Sequence, residues 1–397
     1  MASARRKGRG YEIRVSMGYD VNGKRIVQSK IWIPPKNMTE KQLQKELERQ
    51  KILYEEEVKL GNCPTSNIKF KAYSDMWLED HKPPILAYKT YNRYCDYLKR
   101  INQAIGHIKL QDLQPLHLNK FYKNLAEDGV SKKAKKDKNG NILPERKLSP
   151  KTILEHHRVI STLLSTAVKW NIVRENVARR ADPPKVPPRD IEFLDEKEVQ
   201  ALLNALQNEP INYRTMITLL IFTGMRRGEL FGLEWKDIDF ENKYLKIERT
   251  SQYIGNGKLI TKLPKTRSGC RGMQISQSLI AELRKYRAWQ TQRRLELGSE
   301  WIDNDRLFTQ WNGALMYPDT LTKWFSKFLE RNNFRKVTLH SLRHTNATIM
   351  IAEGTDIRTV SNRLGHAQTS TTLNIYTHAL KSKDEQAAEV LDNVLAM

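Results

Sequence analysis

Cysteine is the scarcest chemistry-bearing residue in this sequence. Cys63, Cys95 and Cys270 are the three that 397 residues carry, far apart and with no C-x-x-C pair. That spacing excludes a disulfide framework and a cysteine-based zinc site, and it leaves reduced thiols suited to a reducing cytoplasm. Long apolar runs are also missing, so no segment approaches the roughly 20 residues that cross a bilayer. The opening decapeptide MASARRKGRG is basic and has no apolar stretch behind it, so no secretory signal is expected. Acidic residues are in deficit too: 45 Asp and Glu face 68 Lys and Arg, a net charge of +23. The excess recurs in every segment rather than in one tail. It predicts a polyanionic partner, with nucleic acid the first choice over charge kept for solubility alone.

A chain of this length exceeds one ordinary core, and two or three domains are expected. Residues 1–66 read as a small α+β module. YEIRVSMGY and RIVQSKIWI form two strands around the Asn-Gly turn of DVNGK, and Thr39 with Gln42 opens a helix that runs to about Leu60 and closes at Gly61. Lys24, Ile26, Gln28, Lys30 and Trp32 alternate onto one face of the second strand. Two readings of that face stay open: a ribbon that enters a DNA groove, or a solvated surface with its Trp packed on the helix. Residues 67–182 show helical spacing throughout, in four segments. Pro115 and Pro150 stand near the starts of the last two, and His156 with His157 reads as a partly exposed pair. The basic insertion SKKAKKDKNGNILPERK between those two segments reads as a loop or hairpin that touches phosphates. ARRADPPKVPPRD, residues 178–190, reads as an extended linker. Beyond it, Asp195 caps a new helix, and the apolar MITLLIFTG stops at Gly224.

Candidate chemistry lies in two places. His340 and Arg343 stand three apart, on one helical face; His366 follows a glycine that reads as a helix stop, and Tyr376 comes ten residues later. Two imidazoles, a guanidinium and a phenol suit a single phosphate, since they offer a fork for oxygens, a proton carrier and a nucleophile. Upstream, Arg226 in TGMRRGEL lies where one helix ends and another begins, a position with free N–H groups for an anion. Glu229 either orients that guanidinium or is a surface carboxylate. KLITKLP and GMQIS read as short strands, with Lys265 at a tight turn between them in PKTRSG and Lys258 and Lys262 as weaker neighbours. No carboxylate pair or other metal-binding cluster accompanies these residues, so neither a divalent ion nor a cofactor is expected.

H-x-L-R-H, then L-G-H, then Y, preceded by TGMRRGEL and K-T-x-S, resembles the signature of the tyrosine recombinases, or phage-type integrases. The resemblance covers essentially the whole chain. It implies a multidomain, mainly α fold: a small α+β arm-type DNA-binding domain (residues 1–66), a helical core-binding domain (67–182) and a mixed α/β, mostly helical catalytic domain with a small β-sheet (183–397). It implies that Arg226, Lys265, His340, Arg343, His366 and Tyr376 are catalytic, with Tyr376 the nucleophile and Arg227 contacting DNA or solvent. It further implies double-stranded DNA with crossover and arm-type sites as partner, assembly into a dimer or tetramer on DNA, an excisionase and a host DNA-bending protein. A cytoplasmic, nucleoid-associated bacterial protein is expected. The N-terminal module and the His-to-Tyr interval look most like integrases of conjugative transposons, with temperate-phage integrases the nearest competitor. Two alternatives use the same scaffold: a non-catalytic DNA-binding protein and a type IB topoisomerase. After Tyr376, Val390, Leu391, Val394 and Leu395 form one helical stripe, which packs on its own domain or, as the resemblance implies, docks on a neighbouring subunit.

Overall fold

The computed structural model describes residues 2–19, 23–35, 38–59, 68–129, 147–187, 192–255, 257–264 and 269–365. The fold is mainly α with small antiparallel sheets, and the chain divides into two compact units, residues 1–188 and 189–397.

In the first unit, strands β1 (Ser3–Lys7), β2 (Gly10–Tyr19) and β3 (Arg25–Trp32) form an antiparallel sheet in chain order. β1 is absent from the sequence reading because Ser-Ala-Arg-Arg-Lys has little intrinsic strand preference. It forms by pairing from Ser3↔Arg14 to Lys7↔Gly10, which satisfies a charged edge. Helix α1 (Glu40–Lys59) lays Tyr54 and Val58 on Ile13 and Val15 of β2. The register Ile13↔Lys30 and Val15↔Gln28 decides which side of β3 is covered. Gln28 is buried, Trp32 packs on this core, and Lys30 lies over the Tyr54 ring with its ammonium 3.4 Å from Glu57. The face considered for a DNA groove is therefore the one beneath the helix, although the side chain of Ile26 lies outside the described residues. The open face carries Arg5, Lys7 and Arg14 around Glu12, with Ser29 beside them and Ile31 exposed.

Four helices follow: α2 (Phe70–Asp80), α3 (Tyr88–Ile105), α4 (Pro115–Glu127) and α5 (Pro150–Lys169). Their apolar stripes close over Phe70, Tyr73, Trp77, Ile101, Leu118 and Leu163. Ser149 caps α5 just before Pro150, whose missing N–H costs nothing at that position. His156 departs from expectation. It falls on the inner stripe of α5 between Ile153 and Ile160 and is 2% exposed, its Nδ1 bonded to the Thr152 carbonyl at 2.8 Å. His157 is half-buried against the Tyr122 hydroxyl, and all of the basic insertion (131–147) except Lys147 lies outside the described residues. The expected linker also starts later than its composition indicates. Val177–Arg180 makes a 3-10 turn that buries Ala178 and Ala181 in the helical core, and Asn119 bonds the backbone and side chain of Asp182.

The second unit opens on α6 (Glu196–Leu206), where Asp195 and Glu198 cap each other's backbone at 2.7 and 2.8 Å. Helix α7 (Ile211–Thr223) is mostly apolar from Met216 to Phe222 and largely buried there, packed against α9 (Gln277–Leu297) and α11 (Leu339–Ala352). A short helix α8 (Arg227–Leu230) leads to strands β4 (Ile238–Asp239) and β5 (Tyr244–Ile247). Strand β6 (Thr250–Gly255) pairs with β7 (Lys258–Lys262), whereas β8 (Arg271–Gln274) pairs with β5. The chain between β7 and β8, within which Lys265 falls outside the described residues, therefore connects two separate sheets. Helices α10 (Pro318–Arg331) and α12 (Ile357–Leu364) complete the described part of the unit.

Candidate active site

The site begins where α7 ends. Gly224 adopts a left-handed conformation (φ 61°) and accepts no side chain: an added Cβ would lie 2.6 Å from Leu364 Cδ2 and 2.7 Å from Asn346 Oδ1. Helices α7, α11 and α12 meet at this glycine. Two residues on, Arg226 stands in extended conformation as the N-cap of α8. Its backbone N–H donates to Glu229 Oε2 at 2.9 Å, its Nη1 to Glu229 Oε1 at 2.8 Å and its Nη2 to the Gly365 carbonyl at 3.4 Å. The guanidinium stays 43% exposed, so it is aimed from behind and open to an anion in front.

Arg343 is held differently. It is 2% exposed on α11, donating from Nη1 to the Gly224 carbonyl at 2.9 Å and from Nη2 to the Leu364 carbonyl at 2.6 Å. Those acceptors close α7 and α12, at ends where unpaired carbonyls concentrate negative potential. The two arginines thus reach successive carbonyls, Leu364 and Gly365, at the turn that ends α12 with Gly365 at φ 68°. His340 lies one turn before Arg343. Burial, and then the charges of Arg343 and Arg226, hold its imidazole below the usual histidine range, so the neutral ring is favoured. His344 packs edge-on against His340 with ring centres 4.8 Å apart. Burial first, then His340 and Arg343, bring its pKa down to about 4.

Glu229 settles between its two readings: it is 3% exposed and bonds Arg226 from inside the fold. Burial alone would raise its carboxyl, yet Arg271 and then Arg226 outweigh that and hold it below its ordinary value. Arg271, at the start of β8, was not a candidate from sequence, since one arginine at a strand end carries no spacing signal. Its Nη2 donates to Glu229 Oε2 at 2.9 Å. Arg227, its side chain 33% exposed, donates from Nη1 to Asp319 at 2.7 Å and to Thr322 at 2.6 Å near the start of α10. Of the six candidates, the structure brings Arg226, His340 and Arg343 together. Lys265, His366 and Tyr376 lie outside the described residues, as does the stripe after Tyr376. Lys258 is exposed at the first residue of β7 and Lys262 half-buried at its last, paired across from Thr250.

The phage integrase family model matches residues 192–383, a span that holds all six candidates, and a model of the phage integrase N-terminal SAM-like domain matches 69–126. Tyrosine recombinase XerA of Pyrococcus furiosus is 31% identical over 224 residues, 55% of this chain and 69% of that protein. The chain belongs to the phage integrase family. This tyrosine recombinase is also similar along nearly its whole length to a XerC-like tyrosine recombinase of Caldanaerobacter subterraneus subsp. tengcongensis (27% identity; 97% of this chain, 96% of that protein) and to the ICEBs1 integrase of Bacillus subtilis (24%; 97% of each). It shares its fold with the Tn1549 transposon integrase solved with transposon right end DNA: TM-score 0.63, 18% identity, covering 81% of this chain and 100% of that one. Among the described residues, no helix of the recombinase is long and apolar enough to cross a membrane.

Proposed function

We propose that the recombinase excises and integrates a mobile DNA element by breaking and rejoining strands through a 3′-phosphotyrosine intermediate, without a divalent ion. The observation that carries this reading is the convergence of Arg226 and Arg343 on one turn of α12, with His340 beside them. A phosphodiester resists attack because its charge repels nucleophiles and its transition state gathers still more charge on oxygen. Two fixed guanidinia bind the non-bridging oxygens, and His366 adds a further donor. Tyr376 Oη attacks phosphorus as its proton passes to the neutral imidazole of His340. The P–O5′ bond then breaks, and Lys265 protonates the departing 5′-oxygen. The phosphotyrosyl bond retains the free energy of the cut linkage, so a 5′-hydroxyl from another strand reverses the step and joins two duplexes without ATP.

Residues 1–66 are assigned to arm-type sites, 67–182 to the crossover site, and 183–397 to catalysis, with the tail helix docking on a neighbouring subunit in a dimer or tetramer on DNA. An excisionase and a host DNA-bending protein complete the assembly in the bacterial cytoplasm, at the nucleoid. Arm contacts fall to the open sheet face with Arg5, Lys7 and Arg14. The relatives carry the names of recombinases and integrases, which supports strand exchange over passive DNA binding or supercoil relaxation. The test is a nicked duplex carrying the joined ends of the element. The recombinase should form a covalent adduct that Tyr376→Phe abolishes, and should exchange strands between two duplexes. An adduct that survives Tyr376→Phe removes the proposed nucleophile, and relaxation of supercoils without exchange favours the topoisomerase.

A further inference from the structure

Arg271 takes no part in the chemistry above, yet its side chain is 6% exposed and its guanidinium joins two distant segments to its own. Nη2 donates to Glu229 Oε2 at 2.9 Å, Nε to the Arg363 carbonyl at 2.5 Å and Nη1 to the Gly269 carbonyl at 3.3 Å. In return Arg363, from the last turn of α12, donates to the Gln274 carbonyl at the far end of β8, 3.2 Å away. α12 is thereby stapled to β8 at both ends of the strand. The two groups that aim Arg226 are Glu229 and the Gly365 carbonyl that closes α12. Arg271 grips the first directly and the turn that carries the second.

We propose that Arg271 is a positioning residue for strand cleavage, fixing Arg226 against the scissile phosphate through Glu229 and the C-terminal turn of α12. The inference rests on the recombinase reading above. Its physical basis is a charge count. The Glu229 side chain is 4% exposed and has two guanidinium partners, the side chains of Arg271 at 6% and Arg226 at 43% exposure. A buried carboxylate needs close compensation. Because Arg271 supplies it from inside, Arg226 keeps its outer face for a phosphate. Without Arg271, Glu229 either draws Arg226 inward as its sole counter-ion or takes up a proton and loosens its hold. Both outcomes displace the group that meets the anion, and stability need not reveal either.

The experiment measures adduct formation by the full-length recombinase on the nicked duplex carrying the joined element ends, first with an ordinary scissile phosphate and then with a methylphosphonate there. The methyl group replaces one charged non-bridging oxygen, so a guanidinium that acts on that charge matters less. Arg271→Met and Arg271→Lys should slow cleavage of the phosphodiester by about 10- to 100-fold, the scale on which supporting residues act, with DNA affinity within about twofold. As for Arg226→Ala, the loss should shrink several-fold on the methylphosphonate. In a Glu229→Gln background, which removes the buried charge, Arg271→Met should add a smaller further loss, since only its hold on the turn of α12 remains to be broken. A loss equal on both substrates, or no loss, overturns the positioning role. So does a full additional loss in the Glu229→Gln background, which would mark Arg271 as a scaffold residue. No adduct from the unmodified chain on either substrate would overturn the recombinase reading and this inference with it.

Discussion

Replacing Gly224 by alanine tests the junction on which both arginines depend. Two costs add. A non-glycine residue in the left-handed region loses about 1–2 kcal/mol. The new methyl would also sit 2.6 Å from Leu364 Cδ2 and 2.7 Å from Asn346 Oδ1, on two other helices, closer than such contacts occur. Overpacking of that kind costs about 1–3 kcal/mol, for a total of about 2–5 kcal/mol. At about 2–4 °C per kcal/mol for a unit of this size, the melting point should fall by roughly 4–20 °C. Calorimetry of the whole chain measures it, as the transition that shifts. Gly8→Ala separates the terms, because Gly8 has φ 60° with nothing within 4 Å of its Cβ, so backbone strain acts there alone. Catalysis should suffer as well, since Arg343 is held by the Gly224 carbonyl, and a displacement near 1 Å costs about a hundredfold. A fall in melting point below 2 °C, with cleavage unchanged well below that temperature, would refute the view that this glycine locks α7, α11 and α12 together.

Lys265→Ala should slow cleavage sharply yet recover when the leaving 5′-oxygen is replaced by sulfur, which departs without a proton; failure to recover assigns the general acid elsewhere. Stability should decline as pH falls from about 6.5 towards 4. The fold holds His340 and His344 below their ordinary pKa, His344 at about 4, so the unfolded chain takes up protons first and stability is complete above 6.5. The full His344 shift would be worth roughly 3 kcal/mol. The ring is only half-buried, so screening leaves roughly 1–2 kcal/mol, and denaturant unfolding at pH 7 and pH 5 should show that slope flattened in His344→Gln.

Residue types and local spacing carried much of this protein into view. The three-residue interval from His340 to Arg343, the helix stops at Gly224 and Gly365 and the Asp195 cap depend on interactions within a turn or two, which the chain specifies locally. The same locality explains what stayed open or turned out otherwise. The alternation in β3 was correct, but which side it turns to α1 depends on a register with β2 and on a helix placed beyond it. Successive strands usually pair, yet β7 and β8 each found an earlier partner, so the chain between them joins two sheets. His156 was assigned to the surface by its polarity, and a bond to the carbonyl one turn back lets it sit in the core.

By itself the sequence determined the residue types suited to a phosphate, their order, and the helix ends that would present them, because charge, proton affinity and backbone freedom belong to individual residues. Only tertiary structure decided that Arg226 and Arg343 meet at the end of α12, that Glu229 aims one of them from within, and that Arg271, 42 residues from Glu229, keeps that carboxylate charged. Those are properties of a low-dielectric interior assembled from distant segments: burial makes each charge depend on its partners, and which partners arrive is fixed by packing.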